Sequence, residues 1–234
     1  MKLLLIRHGQ SLANLAWLQG EPIHGGDPVL TELGEIQAQS LAHAFSTGLL
    51  PRPDYVFSSL MQRAVQTVAP VAQVLGCAVE GTLDGYEVGG LHHGSVDESD
   101  VRAFPGLGTP ELLSICPQLV LPDEVNEQGW YFREVETRVQ GWVRAQRLFA
   151  QLVDRFGDTD ACVVLVCHGM FIQLFLRTII GWEPDLSTPM LDDAWFTINN
   201  TGSVYLTVPG EYGERATIHW VNRVDHLIED HLSD

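Results

Sequence analysis

Leu3-Leu4-Leu5-Ile6-Arg7-His8-Gly9-Gln10-Ser11 is the stretch on which the fold turns. Four apolar residues with no polar face stop at an arginine, a histidine and a glycine. A continuous apolar run of this kind predicts a strand buried on both faces, as in a parallel sheet with helices on each side. Such sheets bind ligands in the crevice at the carboxyl ends of their strands, which is where Arg7 and His8 fall. In a regular strand these two would point to opposite faces. Both can serve one site only if the chain is leaving the strand, and Gly9 is expected to permit that turn.

Working outward, Ala161–Cys167 is a second fully apolar run that ends in His168-Gly169. Between the two runs lie helical and strand patterns. Ser11–Leu18 reads as a short helical piece, and His24–Pro28 cannot continue it. Thr31 reads as an N-cap with Glu32 and Glu35 in the first turn, and Gly48 as the stop of that helix. Asp54–Phe57 is a short strand ending in Ser58-Ser59. Ser59 and Gln62 have the spacing of a capping box, opening a helix that runs towards Gly76 with Pro70 as a kink. Cys77–Glu80 is a further strand. Glu134–Phe156 is helical, with Val135, Val139, Trp142, Val143, Leu148, Phe149 and Leu152 as its apolar positions. Met170–Ile180 is apolar nearly all round and therefore a buried helix. Val204–Val208 and Ala216–Val221 form a hairpin turned by residues 211–214, and Arg223–Leu232 reads as a short amphipathic helix. Residues 81–130 hold many of the glycines and prolines and show no clear pattern. A long irregular segment in a compact domain is commonly functional or mobile.

Five motifs in order carry a resemblance. They are Arg7-His8-Gly9-Gln10-Ser11 with Asn14, Leu30-Thr31-x-x-Gly34-x-x-Gln37-Ala38, Ser58-Ser59-x-x-x-Arg63-Ala64-x-Gln66-Thr67, Glu87-Val88-Gly89-Gly90, and Val166-Cys167-His168-Gly169. Together they resemble the histidine phosphatase superfamily, the phosphoglycerate-mutase-like proteins. The resemblance implies a single domain over residues 1–234. Its expected fold is a three-layer α/β/α sandwich, with a mostly parallel central sheet and helices on both faces. Residues 81–130 would be a lid insertion over the active site.

A neutral imidazole can attack phosphorus and form a phosphohistidine that water later hydrolyses. The resemblance makes His8 this nucleophile. Phosphoryl transfer needs in-line positioning and cations on the equatorial oxygens, and arginine holds two oxygens with its planar fork. The resemblance gives that task to Arg7 and Arg63. His168, if protonated, would add a third positive charge. The leaving alkoxide needs a proton from a carboxylic acid of raised pKa. Glu87 matches the family acid, and Asp84, three residues upstream, is the internal alternative. Gln10, Ser11, Asn14 and Gly169 are expected at the substrate. The family more often has Glu where Gln10 stands, a departure that leaves the nucleophile intact. Asn200 and Thr201 are expected behind these groups. Trp130 and Phe132 would be either aromatic walls of the site or core.

The charge of −17, with only 13 Lys and Arg, argues against nucleic acid. It repels small phosphates at long range, so a phosphate enzyme of this composition must rely on a few local cations. Four cysteines without paired spacing, no visible leader and no apolar run of membrane length point to a reduced, cytoplasmic setting and no membrane partner. His92-His93 in a glycine-rich loop is a poor metal motif, and the family chemistry uses no metal and no cofactor. A homodimer is left open.

The expected function is a phosphatase for a small phosphomonoester, so its partner is a small phosphorylated metabolite. A phosphoglycerate-type mutase is the alternative, and a non-catalytic binding protein on the same fold is a third reading. A mutase must hold a carboxylate and a second phosphate, yet residues 88–128 contain Arg102 as their one cation. That favours hydrolysis. Leu91, Val96, Phe104 and Leu107 in the expected lid suggest an apolar leaving group.

Overall fold

The computed structural model describes residues 1–21, 25–93, 102–181, 196–209 and 215–234. Its elements in chain order are β1 (Lys2–Arg7), α1 (Leu12–Gln19), α2 (Glu32–Ser46), β2 (Tyr55–Ser59), α3 (Gln62–Leu75), β3 (Val79–Thr82), β4 (His92–His93), β5 (Arg102–Ala103), α4 (Thr109–Ile115), β6 (Leu119–Val120), α5 (Arg138–Phe156), β7 (Cys162–Cys167), α6 (Gly169–Ile179), β8 (Ser203–Thr207) and β9 (Thr217–Arg223). Seven strands form one sheet in the order β6-β3-β2-β7-β1-β8-β9. The five from β6 to β1 are parallel, and β8 and β9 add an antiparallel hairpin at one edge.

The period-two alternation of β1 divides the core. Leu4 and Ile6 face α2, α3 and α4, joining Leu41, Phe45, Val68, Val71 and Leu112. Leu3 and Leu5 face α5 and α6, joining Leu148, Leu152, Phe171 and Phe175. β7 does the same with Val164 and Val166 on one side and Val163 and Leu165 on the other. Runs with apolar residues at every position are therefore what a sheet covered on both faces requires. The expected three-layer α/β/α sandwich with a mostly parallel sheet is the architecture found.

Several local expectations are corrected. The helix expected from Glu134 begins at Arg138, because Thr137 is the N-cap and completes a capping box with Gln140. Its buried face is Gly141, Arg144, Ala145, Leu148, Leu152 and Phe156, while Val139 and Val143 are exposed. An arginine thus takes a core position that the apolar pattern gave to valines. The helix expected to run towards Gly76 does so, with Pro70 inside it. The strand expected at Cys77–Glu80 is shifted to Val79–Thr82. Arg223–Leu232 is not a helix: β9 runs through Arg223, and only Glu229–His231 makes a single 3-10 turn.

Residues 81–130 contain structure that the glycines and prolines concealed. β6 is the edge strand of the main sheet, and α4 packs on α3. Leu91 is buried in the core, with Phe104 and Leu107 packed against it, so these three do not form an exposed apolar lining. Val96 and the turn at 211–214 lie outside the described residues. Trp130 is core and Phe132 is exposed.

Candidate active site

β1 and β7 are parallel neighbours in the register Arg7↔Cys167. The next residue on each is a histidine, so two His-Gly dipeptides emerge side by side at the carboxyl edge of the sheet. His8 N–H donates to the Cys167 carbonyl at 2.9 Å, and the two imidazole centroids are 5.0 Å apart. β2 pairs with β7 on its other side and delivers Ser59, whose Oγ lies 2.8 Å from His168 Nε2.

His8 is buried. Its Nδ1 lies 2.6 Å from the Gly9 carbonyl. A carbonyl only accepts, so the proton sits on Nδ1 and the lone pair on Nε2. Nε2 in turn accepts a hydrogen bond from Arg63 Nε at 3.1 Å. Burial first, then the charges of Arg63 and Arg7, push the His8 pKa well below 6.5. The imidazole is neutral with its outer nitrogen unprotonated, the state a nucleophile needs.

His168 is likewise buried and pushed well below 6.5, by desolvation first and then by Arg63 and His8. In the free site these causes favour the neutral imidazole, so the third charge that a protonated His168 would add is not present before substrate arrives. Its Nδ1 is buried without a hydrogen-bond partner. Ser59 does not form the expected capping box, because it still belongs to β2 and its hydroxyl serves His168 and Met61 N–H. The N-cap of α3 is Met61, with no side-chain cap bond. The Asp27 carboxylate supplies the cap from outside, accepting from Gln62 N–H at 3.0 and 3.1 Å.

Gly9 does not adopt a positive φ, so its reason is contact. A Cβ there would lie 2.6 Å from the Gly34 carbonyl oxygen, and one on Gly34 would lie 2.0 Å from that of Gln10. The loop after β1 and the first turn of α2 approach closely enough to exclude side chains from both. Gln10 turns towards that helix: its N–H donates to Gln37 Oε1 at 2.7 Å and its Oε1 accepts from Thr31 Oγ1 at 2.8 Å. Ser11 caps α1 and forms a capping box with Asn14. The bonds from Ser11 and Asn200 fall on Asn14 Oδ1, so its Nδ2 donors are not spent on them. Asn200 and Thr201 back His8 directly, donating to its carbonyl from Asn200 Nδ2 at 3.1 Å and from Thr201 N at 3.2 Å.

Arg7 donates to the Ile198 carbonyl, while its buried Nε has no partner. A Cβ on Gly169 would stand 3.3 Å from that Nε, so the first residue of α6 lies against the guanidinium. Glu87 accepts from the N–H groups of Phe171 at 2.9 Å and Met170 at 3.2 Å, and from its own neighbour Val88 at 2.8 Å. It therefore sits at the N-terminus of α6, held by the first N–H groups of that helix. Glu87 is also near enough to Arg7 and Arg63 to raise both their pKa values, against the larger lowering by burial. Asp84 is engaged elsewhere. Arg147 grips its two oxygens at 2.9 and 2.5 Å. It lines a groove of about 730 Å³ with Leu148, Gln151 and Arg155, to which His8, Arg7, Arg63 and His168 contribute nothing.

Three residues here were not reached by sequence reasoning. Asp27 stands 3.9 Å behind Arg63, and burial raises its pKa to about 7 against the pull of Arg63. Gln37 belongs to a quoted motif but its bond to Gln10 N–H had no local signal. Arg144, buried under the Glu87 segment, was hidden by its charge. Among the described residues, no three His, Cys, Asp or Glu side chains gather as metal ligands would.

The model of the histidine phosphatase superfamily (branch 1) matches residues 3–200. This chain belongs to that superfamily. A 2,3-bisphosphoglycerate-dependent phosphoglycerate mutase from Nitrosomonas europaea is 30% identical over 132 residues, 53% of this chain and 54% of the relative. The chain spans about half the length or less of the curated relatives it matches. Among solved structures, a mycobacterial glucosyl-3-phosphoglycerate phosphatase superposes with a TM-score of 0.60 at 20% identity, covering 95% of this chain and 99% of its own. A mutant phosphoserine phosphatase from Entamoeba histolytica in complex with phosphoserine gives 0.60 at 21% identity, covering 97% and 99%. At such identities the likeness is one of fold. Among the described residues, no helix is long and apolar enough to cross a membrane.

Proposed function

We propose that this histidine phosphatase hydrolyses a small phosphomonoester through a phosphohistidine on His8, without a metal in the step. The state of His8 carries the reading: proton on Nδ1 against the Gly9 carbonyl, lone pair on Nε2, and a neutral ring at physiological pH. In the first step Nε2 forms a bond to phosphorus while the ester P–O bond breaks. Glu87 gives its proton to the departing alkoxide, and the alcohol leaves. In the second step water attacks phosphorus, Glu87 takes a proton from it, and the P–N bond breaks to release phosphate and neutral His8.

Arg7 and Arg63 neutralise the phosphoryl oxygens throughout. Arg63 must exchange its bond to His8 Nε2 for one to phosphate as substrate arrives. The arriving phosphate dianion favours a proton on His168, so the third cation is supplied by the substrate's own charge. In this reading the Asn14 amide and the Gly169 end of α6 meet the phosphate, while Gln10 and Ser11 hold the loop beside it. Phosphate caught between buried guanidinium groups explains how a chain of charge −17 can take an anionic substrate.

The mutase reading draws on the Nitrosomonas relative. Against it, Arg102 is the only cation in residues 88–128, and it lies exposed in the small hairpin strand β5. A second phosphate would lack charge partners.

The deciding experiment is phosphate release from a panel of phosphorylated metabolites, including phosphoserine and glucosyl-3-phosphoglycerate, by wild type and His8→Ala. Release by wild type alone supports the reading. Interconversion of phosphoglycerates without release would replace it with the mutase, and equal release by both proteins would remove His8 as nucleophile.

A further inference from the structure

We infer that Arg144 is the positioning residue for Glu87, fixing the carboxyl group where it can deliver a proton to the leaving group. The inference rests on the proposed role of Glu87 as acid and concerns what holds that acid in place.

Arg144 is 2% exposed and projects from α5 under residues 84–89. Its Nη1 donates to the carbonyls of Asp84 at 2.7 Å and Tyr86 at 2.8 Å. Its Nε and Nη2 grip the Glu136 carboxylate at 2.7 and 2.6 Å. Glu136 extends the hold: its Oε1 accepts from the Tyr86 hydroxyl at 3.0 Å, and its N–H donates to the Gly89 carbonyl at 3.0 Å. The chain is thus fastened at 84 and 86 before Glu87, and at 89 after it.

The other body that defines the place of Glu87 is the start of α6, whose Met170 and Phe171 N–H groups bind its carboxylate. The Arg144 guanidinium carbon lies 3.5 Å from the Tyr86 ring centre and 4.6 Å from that of Phe171. One side chain therefore packs against both the segment carrying Glu87 and the helix end receiving it. None of the hydrogen bonds of Arg144 goes to Glu87 or His8, and its charge acts in the site by helping to keep His168 neutral, so an effect confined to the leaving-group proton passes through position. A buried ion pair is poor evidence of a stability role, since apolar groups of similar volume often replace one without loss. The distinctive feature is the fork: a planar guanidinium can serve two carbonyls and a carboxylate at once, and a lysine ammonium cannot.

The test separates leaving groups. 4-Nitrophenyl phosphate departs as a stable anion and needs no proton, whereas benzyl phosphate, of similar bulk, departs as an alkoxide that does. The measured quantity is kcat/KM, which reports transfer to His8. Glu87→Gln is expected to lower it for benzyl phosphate on the order of 100-fold and for 4-nitrophenyl phosphate by less than about 5-fold. Arg144→Lys is expected to widen the same ratio by about 10-fold. The double variant Arg144→Met/Glu136→Gln, which leaves no unpaired charge, should do likewise and decides the matter if Arg144→Lys does not fold. Equal losses on both substrates in the Arg144 variants, while Glu87→Gln separates them, would overturn the positioning role. If Glu87→Gln itself fails to separate them, the acid assignment falls, and the positioning role falls with it.

Discussion

Arg63 Nε donates to His8 Nε2 at 3.1 Å, so in the free site the reactive lone pair of the histidine is held by the cation that would bind its phosphate. The bond aligns the imidazole before substrate arrives, and the Arg63 charge helps keep it neutral.

Replacing Arg63 should therefore have two separable effects. Arg63→Met is expected to lower kcat/KM for phosphomonoesters by about 100-fold to 1,000-fold, the size of losing one oriented donor to a transition-state anion. It should also move the acidic limb of the pH–rate profile to higher pH, since one of the charges opposing His8 protonation is gone. A profile that falls in height without moving its acidic limb would show that Arg63 acts on phosphate alone.

Asp27 is legible only in three dimensions, and its chemistry gives a stability prediction. Burial favours the neutral acid, lifting its pKa from 3.8 to about 7 despite Arg63. A carboxyl raised on folding adds stability that is complete below the unfolded value and is lost as pH rises towards 7, a loss on the order of 4 kcal/mol. Asp27→Asn cannot ionise and keeps an oxygen for the Gln62 N–H. The variant should gain on wild type between pH 4 and pH 8, and denaturant unfolding at the two pH values measures it. A wild type to variant difference that is the same at both would show that Asp27 does not change its protonation there.

What the sequence made legible follows from which interactions are local. β1 and β7 could be read because a strand covered on both faces must be apolar at every position, and each ends in its own His-Gly. The cap at Thr31 was legible because it binds a residue three positions on. Ser59 misled because its spacing to Gln62 fits a cap, whereas its hydroxyl is taken by His168, 109 residues away. Arg144 was concealed for a related reason: a charged residue inside an apolar pattern reads as solvated unless its partners are known, and they lie on Glu136 and the segment 84–86. β6 and α4 were hidden because strands of two residues and helices of seven carry too few positions for a period to show.

The two buried histidines predict acid sensitivity. Both His8 and His168 have pKa values well below 6.5 in the fold, with burial as the largest cause. The unfolded chain takes up their protons as pH falls below 6.5 while the folded chain resists them, so each removes stability as pH falls. Asp27 acts in the opposite direction over the same range. His226, lowered to about 4 chiefly by burial, adds a third loss over the same range, so stability should fall as pH drops from 6 towards 4. His168→Asn should make that fall shallower, as read from unfolding free energies across the range. A slope unaltered by the substitution would mean that His168 is protonated in the folded protein.

Gln37 and Ser233 give the last prediction. Gln37 is fully buried, accepts from Gln10 N–H at 2.7 Å, and donates to the His231 carbonyl at 2.7 Å and to Ser233 Oγ at 2.9 Å. Ser233 Oγ donates to Asn200 Oδ1 at 2.9 Å, and Asn200 Nδ2 to the His8 carbonyl at 3.1 Å. The bonds run from one side of the nucleophile to the other through residue 233, so a serine far along the chain supports the loop at residues 8–10. Gln37→Leu leaves Gln10 N–H and the His231 carbonyl unpaired in the interior, at about 1–3 kcal/mol each. Ser233→Ala removes two bonds to buried groups, but Gln37 Nε2 keeps the His231 carbonyl, so the cost falls mainly on Asn200 Oδ1, at about 1–3 kcal/mol. Gln37→Leu is therefore expected to destabilise more than Ser233→Ala. Both should lower kcat, because the same bonds that hold the fold also set where His8 stands. Denaturant unfolding and steady-state rates on one substrate compare the two variants. Full activity in a folded Ser233→Ala protein would show that the loop at 8–10 keeps its geometry without this support.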